Sequence, residues 1–334
     1  MDTLASRGIT VSSIEVRHAK ELEEILSKLP MDTLVWPNAY YTLGESGQIV
    51  WIQELIEKSA LPYVGTAAQG LKTMLDKAHT HQVLHQAGVP VPLHLSISRT
   101  DFEHFEDLLE GSGLSWPIVI KPTSESCSMG VIRADNLAQA QAHIAKIFDE
   151  FPHSNALLEA FLPSEDITCG YLQLDENIML LPTYYKSLKM QGKEFIMERD
   201  LGVAPWTGSD IVMPPVQDEA ALQQLADQMP ALVKAMSITG VSRADARMDT
   251  NGKLRFFDVN GMPALSFPKS VLVRQVRECF PEIPDHKAYQ YLLNTIVAMA
   301  AQRFNLKIPN ALTDQNLFSL GGGHVIRLSV SQEV

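Results

Sequence analysis

Two short segments with polar side chains at every second position constrain this chain more than any other feature. Residues 241–249 (VSRADARMD) and 254–260 (LRFFDVN) flank an Asn-Gly pair at 251–252. An Asn-Gly pair between alternating segments is a strong signal for a β-hairpin. We therefore predict two antiparallel strands, each with one polar face.

The polar face of this hairpin would bring four functional groups together. Arg243 and Asp245 alternate on the first strand, and Asp258 and Asn260 alternate on the second. Carboxylate and amide oxygens suit Mg²⁺, which keeps phosphates and waters as its other ligands. A solvated hairpin would show the same alternation, so the residues themselves leave both interpretations open.

Length and charge limit the class of protein. The chain has 334 residues, which predicts about two domains or about three small ones. Its formal net charge is −12, whereas a protein that binds a nucleic-acid backbone normally carries the opposite sign. We therefore expect no nucleic-acid partner, although a few buried lysines could still bind a small phosphate ligand.

The cysteines and the apolar runs predict a location in the cell. Cys127, Cys169 and Cys279 are far apart and odd in number, which argues against a disulfide framework and for a reducing compartment. The first residues lack the apolar region of a secretory signal. No run approaches the roughly 18 apolar residues of a spanning helix. We expect a cytoplasmic protein with no membrane partner.

The first half of the chain alternates strand-like and helix-like segments, which is typical of an α/β layer with a parallel sheet. We predict a strand over 9–16 and helices over 19–29 and 69–87. The apolar segment 116–122 predicts a buried strand, and 129–134 predicts its hairpin partner. The first half of the chain is thus predicted to contain both helices and strands, joined by short connections.

Three charged residues stand out from their surroundings. Lys121 ends the apolar strand 118–121, and Glu159 lies inside the apolar segment 156–162. Each could be a strand-end or edge residue that reaches solvent, or a buried group that needs a partner. Lys77, in the helix that begins near residue 69, is uninformative by itself.

Five segments follow one another along the chain: GESGQIVWIQELIEKSALPYVG (44–65), MLDKAHTHQVLHQAGVPVP (74–92), PIVIKPTSESCSMGV (117–131), LLEAFLPSEDITCG (157–170), and the hairpin with its continuation, SRADARMD and FFDVNGMP. In this order they resemble the ATP-grasp superfamily and, within it, the D-alanine–D-alanine ligase family. Each motif is weak alone. Their common order and spacing make the resemblance specific.

The resemblance implies an α/β (α+β) ATP-grasp fold. It would consist of an N-terminal parallel-sheet α/β domain (1–66), a central lid domain (67–155), a C-terminal mixed-sheet domain (156–310) and a tail (311–334). ATP would lie between the last two sheets. The implied activity is that of an ATP-dependent carboxylate–amine ligase, which converts an acid to an acylphosphate and joins it to an amine.

The resemblance also implies roles for individual residues in binding ATP. Lys77 and Lys121 would contact phosphates, and Cys127 and Ser128 would lie in a loop over the γ-phosphate. Glu159 would accept from the adenine amino group, beside the backbone at Leu162. Phe161 and Phe257 would enclose adenine, and Asp166 would bind ribose, with Glu165 as the alternative.

The metal and the reacting groups follow from the same resemblance. Asp245, Asp258 and Asn260 would hold Mg²⁺, with two sites expected and Mn²⁺ as a substitute. Arg243 would stabilise the intermediate. Lys189, in the irregular segment 186–215, would close over the reacting carboxylate.

The substrate-binding ends differ from the family pattern. Tyr40 stands where the family has histidine, and we find no counterpart of the N-terminal glutamate that grips the first substrate. Ser270 matches the serine that holds the second substrate's carboxylate, and Lys269 adds a charge beside it. The expected substrates are therefore a small acid and an amine. The enzyme would be either a D-alanine–D-alanine ligase proper or a related ligase of specialised metabolism. The alternative is an ATP-binding pseudoenzyme with a regulatory role. Family resemblance further suggests a homodimer.

Overall fold

A computed structural model describes residues 2–126, 128–187 and 211–329 of the chain. The predicted site residues Cys127 and Lys189 lie outside these ranges. Within them, no helix is both long and apolar enough to cross a membrane.

The N-terminal part packs short helices around a small apolar cluster. Its elements are α1 (Asp2–Ala5), α2 (Ala19–Leu26), β1 (Tyr41–Leu43), β2 (Ile49–Trp51) and α3 (Ile52–Lys58). Helices α2 and α3 meet through Leu22, Leu26, Leu55 and Ile56. Strands β1 and β2 form an antiparallel pair, and the parallel contacts are two isolated bridges, His18 to Leu43 and Val35 to Tyr63.

The predicted strand over 9–16 is wrong, because these residues form no strand. Their alternation of apolar and polar residues is typical of a strand, but a strand also needs a neighbour for its backbone hydrogen bonds. The N-terminal parallel sheet that the sequence predicts is therefore not formed by the described residues of this part. Its parallel pairing consists of the bridges from His18 to Leu43 and from Val35 to Tyr63.

The predicted helix over 69–87 is divided at Asp76. The structure contains α4 (Ala68–Leu75) and α5 (Lys77–Gln86). Asp76 is extended, and its carboxylate accepts from the backbone N–H of His79 at 3.1 Å, which is the geometry of an N-cap. Lys77 therefore becomes the first residue of a helix, and its backbone N–H donates to Thr123 O at 2.9 Å.

A four-stranded antiparallel sheet follows, in the order β3-β6-β4-β5. Its strands are β3 (His94–Ile97), β4 (Ile118–Pro122), β5 (Ile132–Ala134) and β6 (Ala156–Ala160), with a 3₁₀ turn (Phe102–His104), α6 (Phe105–Ser112) and α7 (Leu137–Glu150) between them. Helices α6 and α7 bury an apolar cluster against this sheet. The predicted β4–β5 hairpin is confirmed, and β6 lies beyond the expected boundary at residue 155.

The larger sheet has the order β11-β10-β7-β8-β12, with β9 paired to β8. Its strands are β7 (Asp166–Leu174), β8 (Asn177–Ser187), β9 (Ile211–Val212), β10 (Ser242–Met248), β11 (Leu254–Asn260) and β12 (Ile326–Ser329). Its helices are α8 (Glu219–Ala235), α9 (Val271–Cys279), α10 (Asp285–Arg303), α11 (Asn310–Asp314) and a 3₁₀ turn (Leu317–Ser319). One apolar cluster includes α8, and a second includes α9 and α10. Residues of the expected C-terminal tail thus supply an edge strand.

The predicted hairpin is confirmed, with one irregularity. In β10 and β11, Asp245 lies opposite Asp258, whereas Ala246 lies opposite Phe256, so Phe257 is an extra residue in the ladder. This is a β-bulge, which re-aims side chains beside it. It explains how adjacent residues, Phe257 and Asp258, both reach the same cavity while Phe256 is buried in the core.

Arg303, the last residue of α10, fastens the N-terminal part to the rest of the chain. Its guanidinium donates to Gly65 O at 2.8 Å, Thr239 Oγ1 at 2.5 Å and Tyr63 O at 3.2 Å. It also lies 4.3 Å from the ring centroids of both Tyr63 and Phe304. Several hydrogen bonds and two cation–π contacts therefore depend on one side chain.

We expect Arg303→Met to lower the free energy of unfolding by about 2–3 kcal/mol, because two carbonyl oxygens and two rings lose their partner. Urea unfolding would measure the loss. Lys307→Met removes an exposed cation nearby and should change stability by less than about 0.5 kcal/mol. Equal effects of the two changes would contradict the anchoring role.

Candidate active site

A cavity of about 690 Å³ collects residues from all parts of the fold. Thirteen of the predicted site residues line it: Lys77, Lys121, Ser128, Glu159, Leu162, Asp166, Arg243, Asp245, Phe257, Asp258, Asn260, Lys269 and Ser270. Tyr40 also reaches it from the N-terminal part. Residues more than 200 positions apart in sequence thus share one wall.

The acidic end of the cavity is built by the β10–β11 hairpin. Arg243 donates to both oxygens of Asp245, at 3.1 and 3.0 Å. Lys77 Nζ lies 3.6 Å from Asp258 Oδ1. Burial raises the pKa of Asp245, and the neighbouring Asp258 adds to this effect. Burial acts in the same direction on Asp258, but the positive charges of Lys77 and Lys121 outweigh it and lower its pKa.

The oxygen atoms at this end fit Mg²⁺. Two carboxylates lie opposite each other in the ladder, and the Asn260 amide follows on the same face. Asn260 Oδ1 accepts from Met262 N at 3.0 Å and from the Tyr40 hydroxyl at 3.4 Å. Within residues 2–126, 128–187 and 211–329, no group of three or more His, Cys, Asp or Glu residues could hold a metal ion. Two acids and an amide form the hard-oxygen set of magnesium and not the nitrogen–sulfur set of zinc.

Lys121 is buried, which contradicts the view that it reaches solvent from a strand end. Its side chain is 5% exposed, and Nζ donates to Phe257 O at 3.1 Å. The same Nζ lies 2.8 Å from Glu159 Oε1 and 5.4 Å from the Phe257 ring centroid. Lys77 Nζ, near the acidic end, donates to Glu125 O. Both lysines therefore have partners and still face the cavity.

The far end of the cavity holds Asp166, bound by a residue that the sequence did not single out. Arg247 donates to both oxygens of Asp166, at 2.5 and 3.0 Å, and to Leu162 O at 3.0 Å. Glu165, the alternative to Asp166, pairs with Lys186 at 2.6 Å and is not a lining residue. Arg247 thus fixes both the acid and the backbone of the segment before it.

The comparisons with known proteins identify the family. Residues 83–277, more than half of the chain, match the family described as "D-ala D-ala ligase C-terminus". The chain belongs to the D-alanine–D-alanine ligase family. A D-alanine–D-alanine ligase of Shouchella clausii is 24% identical over 312 residues, covering 92% of this chain and 80% of that protein.

Solved structures of this family confirm the predicted ATP-grasp fold. The VanG D-Ala:D-Ser ligase from Enterococcus faecalis has a TM-score of 0.61 at 19% identity, covering 80% of this chain and 72% of that one. A D-alanine–D-alanine ligase from Bacillus anthracis, complexed with ATP, has a TM-score of 0.56 at 19% identity, covering 80% and 82%. The prediction that this chain belongs to a family of ATP-dependent C–N ligases is therefore confirmed.

The structure does not bring Phe161 to the cavity, where adenine was expected between two phenylalanines. Residues on either side of it, Ala160 and Leu162, line the cavity, so the alternation of an extended chain turns Phe161 away. Its ring instead packs against Arg133, whose guanidinium carbon lies 5.0 Å from the centroid.

Two further residues at the site were not predicted from the sequence. Tyr185 lines the cavity, and burial raises its pKa to about 12. His81 contacts Glu159, with 3.1 Å between Nε2 and Oε1, and burial lowers its pKa to about 4. His81 lies four residues after Lys77 and so on the same helix face. This spacing is the feature of the sequence from which its position near the site could have been predicted.

The pairing of Arg247 with Asp166 yields a double-mutant test. We expect Arg247→Met to cost about 2–3 kcal/mol of unfolding free energy, because it leaves a poorly solvated carboxylate without a partner. Adding Asp166→Leu should recover about 1 kcal/mol or more of that loss. Chemical denaturation of the two single variants and the double variant would measure the coupling. Additive losses would contradict the proposed contact.

Proposed function

We propose that this chain is an ATP-dependent carboxylate–amine ligase of the D-alanine–D-alanine ligase family. The observation that carries the proposal is the arrangement of charge in one cavity. Three cationic side chains, of Lys77, Lys121 and Arg243, lie beside three carboxylates, of Asp258, Glu159 and Asp245 respectively, and all six side chains line the cavity. Such an arrangement suits a bound polyphosphate with its metal ion.

The nucleotide would lie along the cavity from Asp166 to Asp258. Glu159 would accept from the adenine amino group, and Asp166 would accept from ribose hydroxyls. The Phe257 ring supplies an apolar surface for the base, and Lys121, which contacts that ring, would reach the phosphates. Lys77 would bind them from the start of α5.

Asp245, Asp258 and Asn260 would hold Mg²⁺, at one or two sites. When bound, the ion neutralises phosphate charge and aligns the transferred group. Burial raises the pKa of Asp245, and repulsion from the nearby Asp258 carboxylate adds to this effect. A cation at this point would offset that repulsion.

The chemistry needs a carboxylate to become an acyl donor. The γ-phosphoryl group would move to a carboxylate oxygen, giving an acylphosphate and ADP. An amine would then attack the carbonyl carbon, lose a proton and expel phosphate. Arg243 would stabilise negative charge on the tetrahedral oxygen, and Ser128 and Lys189 would help to cover the reacting groups.

The substrate end supports an amine partner that carries a carboxylate. Ser270 Oγ is buried at the cavity and has no hydrogen-bond partner among the described residues. Lys269 lines the cavity beside it. A carboxylate could accept from both groups. D-Alanine is one candidate because the curated relatives are D-alanine–D-alanine ligases.

The proposal includes a cellular compartment and an oligomeric state. Cys169 and Cys279 are buried free thiols, which suits a reducing compartment such as the cytoplasm. Family resemblance supports a homodimer. Light scattering during size-exclusion chromatography would determine the oligomeric state.

The proposal is tested by ATP-dependent phosphate release, with Mg²⁺, against a panel of D- and L-amino acids, dipeptides and amines. Release with D-alanine alone would support the substrate of the relatives. Release with another pair would support a ligase of specialised metabolism. ATP binding without release from any pair would favour the pseudoenzyme.

With an active pair of substrates, we expect Asp245→Asn to reduce kcat by about 10²-fold or more, because the proposed metal ligand loses its charge and Arg243 loses its two-oxygen ion pair. Asp227→Asn makes the same chemical change on the exposed face of α8 and should leave kcat unchanged. Chelation of divalent ions should abolish turnover of the unaltered protein, and Mn²⁺ should restore it. Turnover by Asp245→Asn at the normal rate would overturn the assigned metal site.

A further inference from the structure

The cationic side chains that line the cavity differ in whether the protein pairs them with a carboxylate. Four of the five have such a partner, and the pairs are Lys77–Asp258, Lys121–Glu159, Arg243–Asp245 and Arg247–Asp166. The fifth is Lys269, whose ammonium group forms no ion pair or hydrogen bond with any residue in 2–126, 128–187 and 211–329. Its charge is therefore available to a ligand.

Lys269 and Ser270 are neighbours in the chain but lie at different depths. Lys269 is exposed, in a turn over 267–269. Ser270 precedes the first residue of α9, and its buried Oγ caps no N–H of that helix and has no other partner among the described residues. The backbone N–H groups of both residues donate to Ser266 O, at 3.0 and 2.9 Å, which fixes the turn. The substrate end thus offers a hydroxyl at its floor and a cation at its rim.

The other side chains at this end of the cavity carry no charge. Met262, Ala264 and Val271 are apolar, and Ser266 adds an exposed hydroxyl. A charged group on a ligand here would find its strongest partner in Lys269, because an ion pair is stronger than a contact with a neutral hydroxyl.

Glu125 is the lining acid that could compete with a ligand for Lys269. It lies on the loop after β4, and its backbone carbonyl accepts from Lys77 Nζ, which places it beside the proposed phosphate site. Its carboxylate forms no ion pair with Lys269 in the part of the chain that the structure describes. The protein therefore leaves the cation at the rim unneutralised.

We propose that Lys269 selects an amine substrate with two acidic groups, one on the α-carbon and one on the side chain. The α-carboxylate would accept from Ser270 at the floor, and the side-chain carboxylate would accept from Lys269 at the rim. The substrate class is thus an acidic amino acid of the aspartate or glutamate type. This inference rests on the proposed ligase function and names the amine partner more closely.

Amine substrates that differ by one charge test this selection. Aspartate is compared with asparagine and glutamate with glutamine, in both D and L forms, with the acid substrate from the phosphate-release panel held constant. Phosphate release with Mg²⁺ and ATP gives kcat/KM, and fragmentation of the product in a mass spectrometer shows which substrate supplied the amine. We expect the acidic member to be favoured by about fivefold, the size of one ion pair at an exposed position.

Substitutions at residue 269 assign the preference to its charge. Lys269→Met should bring the ratio of kcat/KM for the acidic and amide members close to one, and Lys269→Arg should retain the preference. Lys287→Met removes an exposed lysine from α10 and should leave the ratio unchanged. Raising the ionic strength should reduce the preference of the unaltered protein, because salt screens an exposed ion pair. A ratio measured on one preparation does not depend on the fraction of active protein.

The outcomes separate this inference from the proposed function. No phosphate release by the unaltered protein with any pair would overturn both. Release without preference for the acidic member, or a preference that Lys269→Met leaves intact, would overturn the role of Lys269 alone. An equal loss for alanine, glutamine and glutamate in Lys269→Met would also overturn it, since one carboxylate would then be accepting from both Lys269 and Ser270.

Discussion

The ammonium group of Lys121 joins the two sheets on which this fold depends. It starts from β4 of the smaller sheet and donates to the Phe257 carbonyl on β11 of the larger one. Its second partner, Glu159, lies on β6, beside β4. A buried lysine is costly unless it is paired, and here the pairing lies at the meeting point of the sheets. This contact joins two walls of the cavity, since Lys121 and Phe257 both line it.

The distribution of charge around Lys121 is the basis for proposing that an anionic ligand binds together with a metal ion. Burial and the nearby Asp258 both raise the pKa of Asp245, and Lys77 and Lys121 lower the pKa of Asp258. A polyphosphate would satisfy the cations and a divalent ion would satisfy the acids. Each ligand thus makes the other easier to bind, because each offsets the charge that the other leaves.

The sequence predicted those parts of the site in which local periodicity decides the side-chain direction. Arg243, Asp245, Asp258 and Asn260 meet because alternation on two strands with a defined turn leaves few other arrangements. His81 and Arg247 were missed because their partners, Glu159 and Asp166, lie on other elements, and their roles depend on packing between them. The strand expected over 9–16 failed for a related reason, since no neighbouring strand accepts it. Phe161 was misplaced because the resemblance assigned it to a ring pair, whereas the direction of the chain points it at Arg133.

The bulge in β11 separates two functions that appear continuous in the sequence. Phe257 is the additional residue in the ladder, and the pairs on either side of it, Asp245 with Asp258 and Ala246 with Phe256, would form a regular hairpin in its absence. Asp245 and Asp258, the proposed metal ligands, therefore need only the ordinary alternation of a strand. The aromatic surface and the carbonyl that holds Lys121 both come from one extra residue. The side of the hairpin proposed to face the nucleotide thus comes from one added residue, whereas the side proposed to hold the metal comes from polar residues at alternate positions.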